Sequence, residues 1–568
     1  MCMRSSQDRH PPPGMTQPKL CATWDHRHLE TDMAWGSRDY MAPGRSLVVG
    51  DRGIAATSHP AATLAAVDIL RAGGNAIDAA IAAVAVQCVV DPLMTGIGGD
   101  CFALYAPASG KPVAINGSGR APAKAEVSWF KAQGIETIGL ESPHAVTVPG
   151  AIDAWCRLSA DHGRKGLDEV LQPAIRAAEE GFVVTPRVAF DWGRNGARIL
   201  RQGAGAPVYM PGGVAPTVGA KMVHPALGAT LGRVAKEGRS AFYEGAVADE
   251  IAATLQALGG LMEPEDLAKT KSDYGEPIGT DYRGHRLVEC PPNGQGVAAL
   301  LIARILSGFD LSDARLSDAD RIHLLAEASK AAYRQRDALV ADPAFSPLDV
   351  EALLSDAMVS RLREKISLTQ ASQPSAFDMP VHRDTVYLCV VDRDGNMVSF
   401  INSLFHAFGS GIYAPKSGVL LQNRGTGFRL IEGHPNAIAP GKRPMHTIIP
   451  GLIEQGGKPV IAFGVMGGQY QATGHAQFLS GLVDRGFDLQ QASDVPRSFA
   501  VDGVLQLETT IPKAVADDLA GRGHAIQYLE SPLGGCQAVQ LDRERGVMYG
   551  ASDHRNDGRP SDADQNRP

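Results

Sequence analysis

Residues 384–402 constrain this chain more than any other stretch. Asp384-Thr385 is followed by Val386-Tyr387-Leu388-Cys389-Val390-Val391, then by Asp392-Arg393-Asp394-Gly395-Asn396, then by Met397-Val398-Ser399-Phe400-Ile401-Asn402. The first run is short, apolar and rich in β-branched residues, as a buried strand is. Asp394-Gly395 is a two-residue turn signal, and the second run reads as the returning strand of a hairpin. Upstream, residues 368–383 show neither helical nor strand periodicity and contain two prolines, the pattern of an exposed linker. A linker therefore runs directly into a threonine at the first position of a core hairpin.

That placement has chemical content. A threonine hydroxyl is a weak nucleophile unless a base lies beside it, and its own α-amine becomes that base if the chain is cut before it. A free α-amine titrates at about 7.7–8.0, so an appreciable fraction is neutral at pH 7 and able to take the hydroxyl proton. Threonine also begins many strands with no such role, and this stretch alone leaves both readings open.

Composition narrows the class. The 568 residues contain 44% hydrophobic and 20% charged side chains, enough for a large core, and the length suggests several domains. A net charge of −8 and a pI near 6.1 argue against a nucleic-acid or anionic-membrane partner. No run of 18 apolar residues is present, so no transmembrane helix is expected. Cysteines at 2, 21, 88, 101, 156, 290, 389 and 536 form no CxxC and no zinc spacing, and read as reduced core thiols. His406, His434, His446 and His475 lack chelating spacing, so no metal and no cofactor are expected. The first 30 residues carry charges, prolines and histidines where a signal peptide has its apolar core, which points to the cytoplasm.

Along the chain, a helix from Pro60 to Arg71 stops at Gly73-Gly74, and Asn75 caps a second, alanine-rich helix from Ala76 to Val90. Gly96-Ile97-Gly98-Gly99-Asp100 opens a strand from Cys101 to Ala106, so it is not a dinucleotide fingerprint. Val113 to Asn116 is a short strand, and a helix begins at Ala151. Residues 167–340 read as mostly helical, at 168–181, 224–237, 245–258, 296–307 and 316–337. Strands return at Val460 to Val465 and Val504 to Leu507, with helices from Ala472 to Gly486 and from Pro512 to Gly523. Strands early, helices in the middle and strands late predict one interwoven α+β unit. Residues 1–45 and 555–568 are expected to be disordered tails.

Motifs in order along the chain give a sharper comparison. PLMTGIGGD (92–100), FGSGI (408–412), SGVLLQN (417–423), GKRP (441–444) and Met466-Gly467-Gly468 together resemble the γ-glutamyltransferase family of N-terminal-nucleophile hydrolases, from about residue 50 to about residue 555. The resemblance implies a four-layer αββα sandwich. It also implies self-cleavage between Asp384 and Thr385, giving a large subunit (46–384) and a small subunit (385–568) with Thr385 as nucleophile. These would form a heterodimer, with a dimer of heterodimers as a further possibility. Gly467 and Gly468 match the glycine pair of the family's oxyanion hole, and Ser403 matches a threonine that hydrogen-bonds the nucleophile.

The departures concern substrate. Where the family carries an arginine for the glutamate α-carboxylate this chain has Ser118, with Arg120 two residues on. The asparagine, glutamine and aspartate that hold the α-amino group are replaced by Phe405, Arg424 and Gly427, and a two-serine segment by His446-Thr447. An ammonium group facing Arg424 would be repelled. The variant motifs NGSGRAP, QNRGTGF and RPMHTIIP resemble the branch that includes oxamate amidohydrolase, cytoplasmic γ-glutamyltransferase-like proteins and, more distantly, cephalosporin acylases. The expected activity is hydrolysis of a small amide lacking a glutamyl α-amine, through a threonyl ester. The alternatives are a genuine γ-glutamyltransferase acting on glutathione and, in another class, an unprocessed binding protein. Arg424 paired with a neighbouring aspartate and His446 as a satisfied core histidine remain open.

Overall fold

The computed structural model describes residue 41 and residues 44–373 and 385–564. Most of the 1–45 segment, residues 374–384 and the cleavage-site residue Asp384 lie outside the described residues.

The hairpin forms as its sequence demands. Val386–Asp392 pairs antiparallel with Met397–Ser403, Val386 opposite Asn402. The connection is tighter than a free turn: the Asp392 carboxylate accepts from the amides of Asp394 and Asn396, and Gly395 adopts φ +86°, which glycine takes without strain. This hairpin is the centre of a seven-stranded sheet in the order Ser561–Asp562, Gly53–Thr57, Val386–Asp392, Met397–Ser403, Asp100–Ala106, Val113–Gly117, Asp273–Gly275. A second seven-stranded sheet runs Val48–Gly50, Val547–Ser552, Cys536–Asp542, Lys458–Val465, Gly451–Gln455, His285–Glu289, Ile278–Tyr282. Every pairing within these two sheets is antiparallel.

Strand periodicity sorts the core into layers. Tyr387, Cys389 and Val391 point between the sheets, where they meet Ala462, Val539 and Leu541. Leu388 and Val390 point outward into a cluster with the helices Pro60–Arg71 and Ala76–Val90. On the far face of the second sheet lie Gly296–Leu306, Asp318–Leu339 and Gln471–Val483. The result is the four-layer αββα sandwich. Ala76–Val90 is buried along its whole length, and Asn75 and Asp78 close a reciprocal capping box at its start.

Several expectations need correction. Residues 273–289, which lie between the helices expected within 167–340, form three strands that the sequence reading did not name. Cys536–Asp542 and Val547–Ser552 are sheet strands that the sequence reading passed over. The segment from 555 to 564 is not a disordered tail. Ser561–Asp562 pairs with Gly53–Thr57, and Arg555 is buried in an ion-pair network with Glu508 (2.5 Å) and Asp553 (3.2 Å), to which Arg497 also contributes. Its polar residues are polar because they bond to one another. Arg45 is likewise held, donating to the carbonyls of Asp553, Asn556 and Gly558. The six described cysteines are free thiols, and burial raises their pKa.

Burial alone would raise the Asp553 carboxyl, but Arg497 and Arg555 hold it well below the ordinary carboxylate range. Its depressed value means that its stabilisation is complete at neutral pH and is lost only as the pH falls through that low value. Replacing Arg555 by alanine takes the guanidinium from buried Glu508 and leaves Asp553 with Arg497 alone, which costs about 3–5 kcal/mol. The expected outcome is a lowered thermal midpoint at pH 7; an unchanged midpoint would show that the network carries no stability.

Candidate active site

The sheet register assembles the site. Thr385 sits at the mouth of the hairpin, 1% exposed, with its hydroxyl 3.3 Å from that of Ser403. Ser403 is paired across the next strand with Asp100, so nucleophile candidate, hydroxyl partner and carboxylate lie side by side on three neighbouring strands. The GIGGD loop must press against the hairpin to reach this position. A Cβ on Gly99 would collide with the Ser403 carbonyl oxygen.

Ser403 Oγ accepts from the Phe405 amide at 3.0 Å. Phe405 has φ +81°, strained for an aromatic residue, and its ring lies 3.9 Å from the guanidinium carbon of Arg424. Arg424 is fully buried at the start of the turn Arg424–Gly427. Its Nη1 donates to Thr447 Oγ1 at 2.8 Å, while Nε and Nη2 face no acceptor among the described residues. Those two N–H groups form one edge of the guanidinium fork, the edge that binds a carboxylate through two parallel hydrogen bonds. Burial lowers the Arg424 pKa to about 9 and the nearby Asp100 charge opposes the shift, so the group stays cationic at neutral pH.

Asp100 is the counter-charge. Its Oδ1 accepts from Gly119 N and Gln422 Nε2, each at 2.8 Å, and its Oδ2 accepts from His446 Nε2 at 2.9 Å. His446 Nδ1 in turn accepts the Ile448 amide, which fixes the proton on Nε2. Burial pushes Asp100 up from 3.8 to about 6, against the pull of Arg424, Gln422 and Gly119.

A third group extends the line of contacts. Gln295 Nε2 donates to the carbonyls of Thr447 (2.7 Å) and Gly468 (3.0 Å), and its Oε1 accepts from the buried Arg336, which also binds Gln469. Gly467 and Gly468 follow the strand Lys458–Val465 with φ +118° and +57°, and lead into the helix Gln471–Val483. Neither amide has an acceptor among the described residues. Two free N–H groups at the entry to a helix suit a developing oxyanion.

Thr385, Ser403, Phe405, Arg424, Thr447, Gln295 and Gly468 thus form one chain of contacts. Ser118 joins it at one remove, through Asn293, which donates to the Ser118 hydroxyl and accepts from the His446 amide. Arg120 does not join. Its guanidinium is engaged by Asp273, Asp342 and the Gly441 carbonyl, because the chain turns outward after Gly119. His446 has both ring nitrogens satisfied, so it orients Asp100 and has no free valence for a ligand. The sequence reading missed Asp100, Gln295 and Arg336. Only Asp100 had a signal, as the acid that ends GIGGD.

The chain matches the family model for gamma-glutamyltranspeptidase over residues 62–563. It belongs to that family. It is 35% identical over 523 residues to a glutathione hydrolase-like YwrD proenzyme of Bacillus subtilis, covering 90% of this chain and 98% of that protein. An oxamate amidohydrolase proenzyme of Klebsiella pneumoniae is 33% identical over 525 residues, covering 90% and 98%. Among solved structures, a cephalosporin acylase from Bacillus halodurans superposes with a TM-score of 0.86 at 40% identity, covering 92% and 98%. The fold is that of the N-terminal-nucleophile hydrolases, and the chain is an enzyme of this family. No helix among the described residues is long and apolar enough to cross a membrane.

A raised carboxyl pKa has a definite sign in linkage. The stability carried by neutral Asp100 is complete below about pH 4 and gone above about pH 6. Relative to Asp100→Asn, the wild type is expected to lose about 3 kcal/mol of unfolding free energy across that interval. Parallel urea titrations at several pH values would reveal it, and a difference that does not change with pH would refute the assignment.

Proposed function

We propose that this member of the gamma-glutamyltranspeptidase family is an autoprocessing threonine amidohydrolase whose acyl substrate bears a carboxylate and no α-ammonium. The observation that carries this reading is the edge of Arg424, with Nε and Nη2 buried and without an acceptor among the described residues. Two buried charged N–H groups need a hydrogen-bond partner, and the carboxylate of a ligand supplies both bonds at once. The neighbouring carboxylate does not offer a cation site, since both oxygens of Asp100 already accept from Gly119, Gln422 and His446. Relatives named as an acylase and as an oxamate amidohydrolase support an acyl group of this kind.

In the uncut chain the nitrogen of Thr385 is a peptide nitrogen. Scission between Asp384 and Thr385 frees it as an amine, and the relatives' designation as proenzymes supports that step. The products would be a large subunit ending at residue 384 and a small subunit beginning at Thr385. The amine then takes the Oγ1 proton as the hydroxyl attacks the amide carbon, with Ser403 Oγ orienting it. The oxyanion lies against the Gly467 and Gly468 amides, each contributing about 3–4 kcal/mol to the transition state. The proton passes to the departing amine, a threonyl ester forms, and water repeats the sequence to release the acid. Free buried thiols support a reducing, cytoplasmic setting.

Glutathione hydrolase-like relatives keep a γ-glutamyl substrate as the second reading, and one substrate panel separates the two. Oxamate and a glutaryl anilide are expected to be turned over, and γ-glutamyl-p-nitroanilide only weakly. Ordinary turnover of the glutamyl compound would overturn the substrate assignment. Thr385→Ala is expected to leave one uncut band and no activity. Arg424→Gln should lower kcat/KM for the carboxylate substrate by about 10²-fold while leaving cleavage intact, as loss of a charged hydrogen-bond pair requires.

A further inference from the structure

On the helix Asp318–Leu339, remote from the contact chain around Thr385, His323 and Glu327 stand one turn apart on the same face, where they meet His524 from the turn after Lys513–Gly521. All three side chains are buried, and one ligand atom from each falls within 4.8 Å of the others. We propose that His323 Nδ1, His524 Nε2 and a Glu327 carboxylate oxygen form a site for a divalent transition ion of the zinc class.

The hydrogen bonds already set the tautomers that such a site needs. His323 Nε2 donates to the Ser367 carbonyl at 2.7 Å, which leaves the Nδ1 lone pair facing inward. A ring N–H held by a carbonyl, with the opposite nitrogen free to ligate, is the outer-shell arrangement that orients metal-binding histidines. His323 Nδ1 lies 2.8 Å from His524 Nε2, so that one proton occupies the position an ion would take. Loading moves that proton to His524 Nδ1 and opens the pair to roughly 3.3 Å, the spacing of neighbouring ligands around a tetrahedral ion with bonds near 2.05 Å.

A fourth position is at hand. A cavity of about 30 Å³, bordered by Lys330, Ser372, Leu505 and His524, has room for a water ligand. One feature works against the ion. Lys330 Nζ sits 2.7 Å from Glu327 Oε1, while Glu327 Oε2 accepts from the Ser372 amide at 3.2 Å. A carboxylate offers four lone-pair directions, so it can hold the ammonium and an ion together, but the ammonium weakens the site. The ligands come from either side of Thr385 in sequence, and the inference holds whether or not the chain is cut.

The test uses the full-length protein stripped with chelator and titrated with Co²⁺, followed by Zn²⁺ displacement. The expected result is one equivalent of Co²⁺ giving the intense visible bands of a four-coordinate site, displaced by Zn²⁺. Lys330→Met should tighten binding about tenfold or more, and His524→Gln and Glu327→Gln should abolish the bands. Circular dichroism checks that each variant is folded, and the gain in Lys330→Met decides the matter even if a ligand variant is not. No stoichiometric binding by either wild type or Lys330→Met overturns the proposal, as does binding that survives the loss of His524 and Glu327.

Discussion

Antiparallel register along the central hairpin governs where chemistry can occur in this molecule. Because Ser403 is opposite Asp100 and its hydroxyl lies beside that of Thr385, three polar side chains are delivered to one end of a sheet packed between two apolar clusters. A slip of one residue would turn Leu388 and Val390 toward the second sheet and Tyr387 and Cys389 toward the helices, exchanging two differently shaped packing layers. The two large clusters on either side of the first sheet therefore hold the reacting groups in line.

Around that line the electrostatics are unusual for a protein interior. A guanidinium and a carboxylate are both removed from water, yet they do not form a direct ion pair. Arg424 rests on an aromatic face and a hydroxyl, and Asp100 on three N–H donors. Direct pairing would neutralise the arginine and close its binding edge. Separation keeps the charge compensated at a distance while one side of the fork stays open. The strained φ of Phe405 belongs to the same arrangement, since it sets the ring under the guanidinium.

How much of this was legible beforehand follows from the range of each interaction. The hairpin, the helix cap at Asn75 and the helix over 225–237 are local, and local residues announce them. The ordered motifs single out Thr385, Ser403, Gly467, Gly468 and Arg424, and a chain of contacts joins Thr385, Ser403, Arg424 and Gly468 in the folded protein. Arg120 was misjudged because two residues of sequence separation say nothing of which way a loop turns. Gln295 and Arg336 were invisible for a different reason: each sits in an unremarkable stretch of chain and matters for what folds against it from far along the sequence. The strands at 536–552 were missed as polar-flanked alternations, and residues 555–564 because salt bridges among buried charges look like solvent-exposed composition.

The strand order of both sheets interleaves segments from before and after Thr385. In the first, Gly53–Thr57 is flanked by Ser561–Asp562 and Val386–Asp392; in the second, Val48–Gly50 and His285–Glu289 bracket four strands drawn from 451–552. A single nick at the threonine would therefore break no ladder hydrogen bond and release neither piece. Parting them would mean unzipping two sheets at once, so the pair would behave in solution as one kinetically trapped body. Reassembly from separated fragments would become a bimolecular search, which the intact precursor performs once, as a tethered and far faster event.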